Sequence, residues 1–305
     1  MPPESRGFHG PPAPSGLAFD GPERRSRTSY RAPALFISHG SPLVVMDEAY
    51  KLALRRFGVR LRDPKGLVVV SAHWQSLRAT GARRPVIVQD FEGFPSWTDS
   101  LTWKCQGSPA LADLVTRTLS AREIPALVDA THGLDSGVWV PMSLMFPGGR
   151  SPVVQLSLPT ATAPADLRAI GDALAALRAE GYMLVGSGGI VHNASRVRFD
   201  LHHPPTEPWA VAFDNWVRDR LDAFDVEALL DYRARGPQAH LAAPTSEHLD
   251  PLFIVLGAAL RGDRVVHLHE GFHAGNLSLR TFALMGRRAT DARLPDELTA
   301  GGAAA

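Results

Sequence analysis

Residues 67–74 read Leu-Val-Val-Val-Ser-Ala-His-Trp, and this stretch decides the fold. Four consecutive apolar residues, three of them β-branched, are typical of a strand that is buried on both faces of a parallel sheet. The run leads directly to a histidine, His73. Because functional sites in open α/β sheets gather beyond the carboxyl ends of the strands, the same stretch predicts where a site lies.

Runs of similar composition predict further strands at 34–38, 85–89, 153–157, 182–186, 265–268 and 279–284. Apolar residues at three- and four-residue spacing predict helices at 165–179 and 207–221. A further helix is expected to begin near Asp250, as the cap, with Pro251 in the first position, and to run to Leu260. The pattern predicts a single α/β domain with a central, mostly parallel sheet flanked by helices, and a site at the carboxyl ends of the strands.

Composition excludes several classes of function. The chain of 305 residues has a formal net charge of +1, which gives no electrostatic reason to expect nucleic acid or a membrane surface as partner. No apolar run approaches the roughly 20 residues that span a bilayer. The single cysteine, Cys105, fits a reducing compartment and is interpreted as a structural thiol. We therefore expect a cytoplasmic protein.

The two ends of the chain differ from its middle. Residues 1–30 are rich in Pro and Gly and contain no apolar segment of the kind found in signal peptides, which predicts a disordered N-terminal tail. Residues 290–305 end in Gly-Gly-Ala-Ala-Ala and are predicted to be a flexible C-terminal tail. The folded domain is then expected to span 31–289.

Histidines in glycine- or proline-rich surroundings mark the candidate site; they are His39 in SHGSP, His73 in SAHW, His132 in THGLDSGVW, His192 in GIVHN and His248 in EHLDP. Three of them, His39, His73 and His192, follow predicted strands and can therefore converge. A nitrogen-rich site suits Zn²⁺ or Fe²⁺ better than Mg²⁺ or Ca²⁺. The chain has no GxSxG, HExxH or GxGxxG motif, so the residues alone leave zinc hydrolysis and iron-oxygen chemistry both open.

Six motifs occur in an order and spacing that resemble the class III (LigB-like) extradiol ring-cleavage dioxygenases, in particular the 4,5-DOPA extradiol dioxygenase branch; they are SHGSP, SAHW, HGLDSGVWVPMSLMFP, VVQLSL, GSGGIVHN and EHLDPLFIVLGAA. The resemblance runs from about Ala32 to Leu284. It implies a non-haem metal centre that opens the ring of a catechol with O₂ and gives a product of the hydroxymuconic semialdehyde type.

The resemblance also implies roles for individual residues. His39, His73 and His248 would bind one metal ion, Fe(II) for catalysis, with Zn(II) expected in the isolated protein. His192 would be a fourth ligand or the general base, and His132 an acid/base group next to the metal ligands. A labile His192, a ligand at rest and a base in turnover, is one hypothesis.

Substrate recognition is less clear from the sequence. The candidates for substrate binding are Ser41, Asp135, Phe94 and Trp97, with Asp135 alternatively orienting a neighbouring histidine. The loop after Pro95 departs from the family pattern, so DOPA and other substituted catechols are both open as substrates. A zinc-bound hydrolase and a non-catalytic binding protein on the same scaffold are the alternative functions.

Overall fold

The structure, a computed structural model, describes residues 31–200 and 204–286. Ten strands are found there: β1 (Ala34–Ser38), β2 (Gly66–Gln75), β3 (Arg78–Thr80), β4 (Leu127–Asp129), β5 (Val153–Leu158), β6 (Tyr182–Gly188), β7 (Arg264–His269), β8 (Phe272–His273), β9 (Leu277–Ser278) and β10 (Thr281–Met285). The same ranges contain the α-helices α1 (Glu48–Arg60), α2 (Pro109–Ser120), α3 (Ser136–Met145), α4 (Pro164–Ala179), α5 (Pro208–Asp222), α6 (Val226–Leu230), α7 (Tyr232–Arg235), α8 (Ala239–Ala242) and α9 (Asp250–Gly257).

Eight strands form one sheet in the order β4-β3-β5-β2-β6-β1-β10-β7. Its centre, β5-β2-β6-β1, is parallel throughout, whereas β10 and β7 continue it in antiparallel fashion on one side. On the other side β3 pairs antiparallel with β5 and parallel with β4. The carboxyl ends of β1, β2 and β6 therefore lie side by side at one edge of the sheet.

The central sheet is covered on both faces. Along β2, Val68 and Val70 pack into one hydrophobic core, and Leu67 and Val69 pack into the other. The first core is closed by α2, α4, α5 and α9, and the second by α1 and α3. An uninterrupted apolar run is the pattern that a strand between two helical layers requires. The prediction of a single α/β domain with a mostly parallel sheet is confirmed.

Most predicted elements are present with shifted ends, and one is wrong. The run at 85–89 is not a strand, because only Ile87 pairs, through an isolated bridge to Leu134. Val86 in this run is 67% exposed, so the segment lies outside the sheet rather than within it. Apolar composition does not distinguish such a segment from a buried strand.

The helix expected from Asp250 to Leu260 is shorter than predicted. It begins at Asp250 and ends at Gly257, and Leu249 rather than Asp250 occupies the cap position. The Asp250 carboxylate accepts a hydrogen bond from the Ser246 hydroxyl at 3.0 Å in the preceding turn. The predicted strand at 279–284 likewise begins only at Thr281, after the short strand β9.

The predicted tails, 1–30 and 290–305, lie outside the described residues, and the domain bounds 31–289 stay a prediction. Across 31–200 and 204–286, none of the helices has the length and apolar character needed to cross a bilayer.

Candidate metal centre

His39 follows β1 and is held by the neighbouring strand β6. Its Nδ1 lies 3.0 Å from the Ser187 hydroxyl oxygen. That hydroxyl donates its only proton to the Gly137 carbonyl, so it accepts a hydrogen bond from Nδ1–H of His39. The other ring nitrogen, Nε2, is buried and has no hydrogen-bond partner. Because the proton sits on Nδ1, Nε2 presents a free lone pair, which is what a metal ligand requires.

His73 lies in the last part of β2, past an irregularity in the pairing of β2 with β5. Its Nδ1 lies 3.5 Å from Asp90 Oδ2, 3.4 Å from the Ser136 hydroxyl and 3.9 Å from Asp135 Oδ1. Burial alone would lower the pKa of His73, but the two carboxylates raise it overall. A carboxylate beside one ring nitrogen orients the imidazole and leaves the opposite nitrogen to bind a metal.

His248 reaches the same place from the segment that precedes α9. Ring centroids are 5.3 Å apart for His39 and His248, 5.5 Å for His73 and His248, and 4.7 Å for His39 and His73. One ligand atom from each of the three residues lies within 4.8 Å of the others. The three imidazoles therefore form a cluster that could hold one metal ion.

The surroundings keep two of these imidazoles neutral. Burial first, and then the imidazoles nearby, lowers the pKa of His39 well below its usual value. Burial also lowers the pKa of His248, although Glu247, whose Oε1 lies 3.5 Å from its Nδ1, opposes this effect. His248 in turn holds the pKa of Glu247 at about 2. Neutral imidazole is the form that binds Zn²⁺ or Fe²⁺, so this donor set fits a transition metal.

His192 lies beside the cluster rather than in it. Its ring stacks on His248 with centroids 3.5 Å apart and an angle of 4° between the planes. Its backbone N–H donates to the Ala242 carbonyl at 2.9 Å, which fixes the segment after β6. Burial first, and then His248 and His73, lowers the pKa of His192 to about 3. The ring is thus a neutral group adjacent to a candidate ligand.

His132 is half-buried and stacks on a tryptophan. Its ring lies 3.7 Å from the ring of Trp74, with an angle of 8° between the planes. Its backbone N–H donates to Asp129 Oδ1 at 3.1 Å. His132 thus packs on the residue that follows His73 in β2, and it is not among the clustered ligand atoms.

Asp135 is enclosed by protein partners. Its carboxylate accepts hydrogen bonds from the Ser71 hydroxyl at 2.8 Å, from the side-chain amide of Gln155, and from the backbone N–H of Val138 at the start of α3. Burial raises its pKa above the usual value. These contacts place Asp135 behind His73, where it caps α3.

Of the remaining candidates, only Ser41 lines the pocket beside the histidines. Ser41 lines a small pocket together with His39 and His73, and its hydroxyl oxygen lies 3.0 Å from Nε2 of His273. The ring of Phe199 is 5.8 Å from His273 and 5.6 Å from Phe94, so an aromatic row extends outward from Ser41. Trp97 is 41% exposed and is not among the residues that line the pocket.

Two polar residues at the site had no role assigned from the sequence. Asp90 directly follows the segment 85–89, which lies outside the sheet. Its carboxylate contacts His73 and accepts a hydrogen bond from the Ser136 backbone N–H at 3.2 Å. Burial opposes ionisation of Asp90, but these hydrogen bonds lower its pKa overall. His273 sits on β8, well after the last recognised motif, and only tertiary structure brings it to Ser41.

Comparison with known proteins agrees with this geometry. Residues 33–275 match the family described as the catalytic LigB subunit of aromatic ring-opening dioxygenase. The 4,5-DOPA dioxygenase extradiol of Escherichia coli K12 is 36% identical over 259 residues, which are 83% of this chain and 94% of that protein. The protein of the same name from Beta vulgaris is 31% identical over 258 residues, 81% of this chain and 94% of its own length.

A solved structure is similar as well. The crystal structure of an uncharacterised protein from Escherichia coli K12 superposes with a TM-score of 0.71 at 33% sequence identity, and covers 84% of this chain and 100% of its own.

Proposed function

Because the chain belongs to the LigB family of aromatic ring-opening dioxygenases, we propose that it is a metal-dependent extradiol dioxygenase that opens the ring of a catechol with O₂. One observation carries this proposal most directly. The buried Nε2 of His39 has no protein partner and lies in a cluster with two further imidazoles. A buried polar atom without a protein partner is costly, and coordination to a metal ion would satisfy it.

His39, His73 and His248 would hold the metal, and we propose Fe(II) as the catalytic ion. Bound Fe(II) would supply the electron transfer that allows O₂ to react with a catechol. Three histidine ligands leave further coordination positions for small molecules, and they also bind zinc well, so zinc in the isolated protein is compatible with the proposal. Asp90 and Asp135 would act on the metal through His73, whose ring they orient.

We assign proton transfer to His192 and His132. His192 stacks on His248, so a catechol bound at the cluster would present its hydroxyl groups to this neutral ring, which can accept a proton. His132, which stacks on Trp74, would hold or return a proton. Ser41, which lines the pocket, would contact the substrate, and Phe94 and Trp97 are proposed as apolar contacts for its ring.

Replacement of His192 tests whether this residue acts as a general base or as a metal ligand. We expect His192→Ala to abolish ring cleavage and to retain most of the metal, because the three-histidine cluster is left complete. His39→Ala is the matched comparison and should lose metal and activity together. Metal content by elemental analysis and O₂ uptake are the two measurements. A His192→Ala protein as depleted of metal as His39→Ala would assign His192 to the ligands instead.

The activity itself is tested by reconstitution. The metal-free protein is loaded anaerobically with Fe(II) or with Zn(II) and then mixed in air with a panel of catechols that includes DOPA. We expect O₂ uptake and a yellow product with Fe(II) only. Absence of O₂ uptake with every catechol would favour the zinc hydrolase or the binding protein.

A further inference from the structure

A second cavity lies away from the histidines, between α1 and the edge strand β7. Its volume is about 250 Å³, and its walls include Leu52, Phe57, Val266 and Leu268, with Arg56 and Arg60 from α1. None of its lining residues belongs to the three-histidine cluster. Leu52 remains 47% exposed although it faces an apolar groove. Pockets that bind small molecules are usually mostly apolar with a few convergent polar groups, and this cavity has that composition.

The charged groups that line this groove are all positive. Its lining contains two guanidinium groups and no carboxylate. Nη1 of Arg60 is shielded from solvent and has no hydrogen-bond partner, and within residues 31–200 and 204–286 neither arginine forms an ion pair. The two guanidinium groups give the groove a positive charge that no carboxylate of its lining balances, and an anion would pair with them.

We propose that the α1–β7 groove binds a small organic carboxylate with an apolar body. The carboxylate would pair with Arg60 and Arg56, and the body would cover Leu52, Phe57 and the outward side chains of β7. The cavity is slightly below the roughly 300 Å³ at which pockets for drug-sized ligands begin, so the ligand is a small acid. Charge complementarity with Arg56 and Arg60 favours an acid over a neutral or cationic molecule of the same shape.

Three probes of equal chain length test this proposal: octanoate, octanol and octylammonium. Calorimetric titration of the full chain at low ionic strength should show saturable binding of octanoate, about tenfold tighter than that of octanol, with no binding of octylammonium. Added salt should weaken the binding of octanoate and leave that of octanol unchanged. Equal affinity for octanoate and octanol, or no saturable binding of octanoate, would overturn the proposal.

Variants locate the binding to the groove. Arg60→Gln should weaken octanoate binding about tenfold and leave octanol binding nearly unchanged. Arg55→Gln is the matched control, since Arg55 is exposed on the same helix but does not line the groove. Ala53→Trp should fill the groove and abolish binding of both probes. Thermal unfolding checks that each variant is folded. Octanoate binding that survives in both Arg60→Gln and Ala53→Trp would place the carboxylate elsewhere and refute the site.

Discussion

Ser187 sets the orientation of the His39 ring within the three-histidine cluster. Its hydroxyl has one proton, which goes to Gly137, and its oxygen receives Nδ1–H of His39. The serine therefore selects the His39 tautomer and fixes the plane of the ring, although it does not itself line the pocket. A group of this kind acts on metal affinity through the ligand that it holds.

Removal of the Ser187 hydroxyl should weaken metal binding. We expect Ser187→Ala to lower metal affinity by about 10–100-fold, because the tautomer and orientation of His39 are no longer fixed. Competition with a chromophoric chelator measures the change. Ser157→Ala is the control, since Ser157 is an equally buried strand serine that accepts only the Arg78 backbone N–H. Equal affinity in the two variants would contradict this role.

For individual site residues, the sequence allows a prediction where the residue lies inside a recognisable motif. Local patterns mark five candidate histidines, the family resemblance implies that His39, His73 and His248 are the ligands, and the fold brings these three together. Asp90 and His273 carry no such pattern. Asp90 follows a segment outside the sheet, and His273 contacts Ser41 across 232 positions of chain, so their roles depend on tertiary structure.

Helices α4 and α9 cross at two glycines. A Cβ on Gly257 would lie 1.9 Å from the Arg168 carbonyl oxygen, and a Cβ on Gly171 would lie 1.9 Å from the Ile254 carbonyl oxygen. Both obstacles are backbone atoms, which cannot rotate away. The two helices therefore owe their close approach to the missing side chains, and α9 immediately follows the segment that carries His248.

Gly257→Ala should be strongly destabilising. The added methyl group must push the two helices apart, and overpacking of this kind costs about 1–3 kcal/mol or more. Urea unfolding measures the free energy. Gly148→Ala is the control, because the nearest atom to its added Cβ would be 3.8 Å away. Equal stability of the two variants would show that the helices can shift without cost.

Strand prediction succeeded where apolar runs are buried on both faces and failed where they are not. The runs at 67–71 and 182–186 became the centre of the sheet as β2 and β6. The run at 85–89 is similarly rich in β-branched residues but bridges only at Ile87. What separates the two cases is the neighbouring strand, which a single segment does not encode.

Arg178 joins distant parts of the whole molecule. It is fully buried and donates to the carbonyls of Ala32, Ala258 and Leu284 and to the Asp263 carboxylate. Arg178 thereby joins α4 to the segment before β1, to the end of α9 and to strand β10. Asp263 is equally buried, with a side-chain exposure of 1%.

Breaking this ion pair should destabilise the whole domain. Arg178→Met leaves the Asp263 carboxylate buried without its partner, which costs about 3–5 kcal/mol. The double variant Arg178→Met/Asp263→Asn should recover part of that loss, because the buried charge is removed. Denaturant unfolding of the two variants gives both values. A double variant less stable than Arg178→Met would show that the charge is not the source of the loss.

Metal removal should lower the stability of the domain. An ion that binds only the folded chain stabilises it by about 2.7 kcal/mol at 100 times its Kd, which corresponds to a change in Tm of about 5–10 °C for a domain of this size. Thermal unfolding with and without a chelator measures the shift. His39→Ala should show no shift, since its cluster is incomplete. A chelator effect of equal size in His39→Ala would indicate a different metal site.

For the whole molecule, the class of fold was predictable from the sequence, but the order and direction of the strands in the sheet were not. Alternating strands and helices were sufficient to predict one α/β domain with its site at the strand ends. The strand order β4-β3-β5-β2-β6-β1-β10-β7 and the antiparallel β10 and β7 depend on pairings between distant segments, which local pattern does not specify.

The parallel centre of the sheet also governs how the metal centre comes into existence during folding. His39 and Ser187 meet across 148 positions of chain, on strands β1 and β6 that pair directly. Such long-range parallel pairing closes large loops and is intrinsically slow. The chain therefore acquires high metal affinity only after β1 and β6 have paired, so metal uptake reports the assembly of the centre of the sheet.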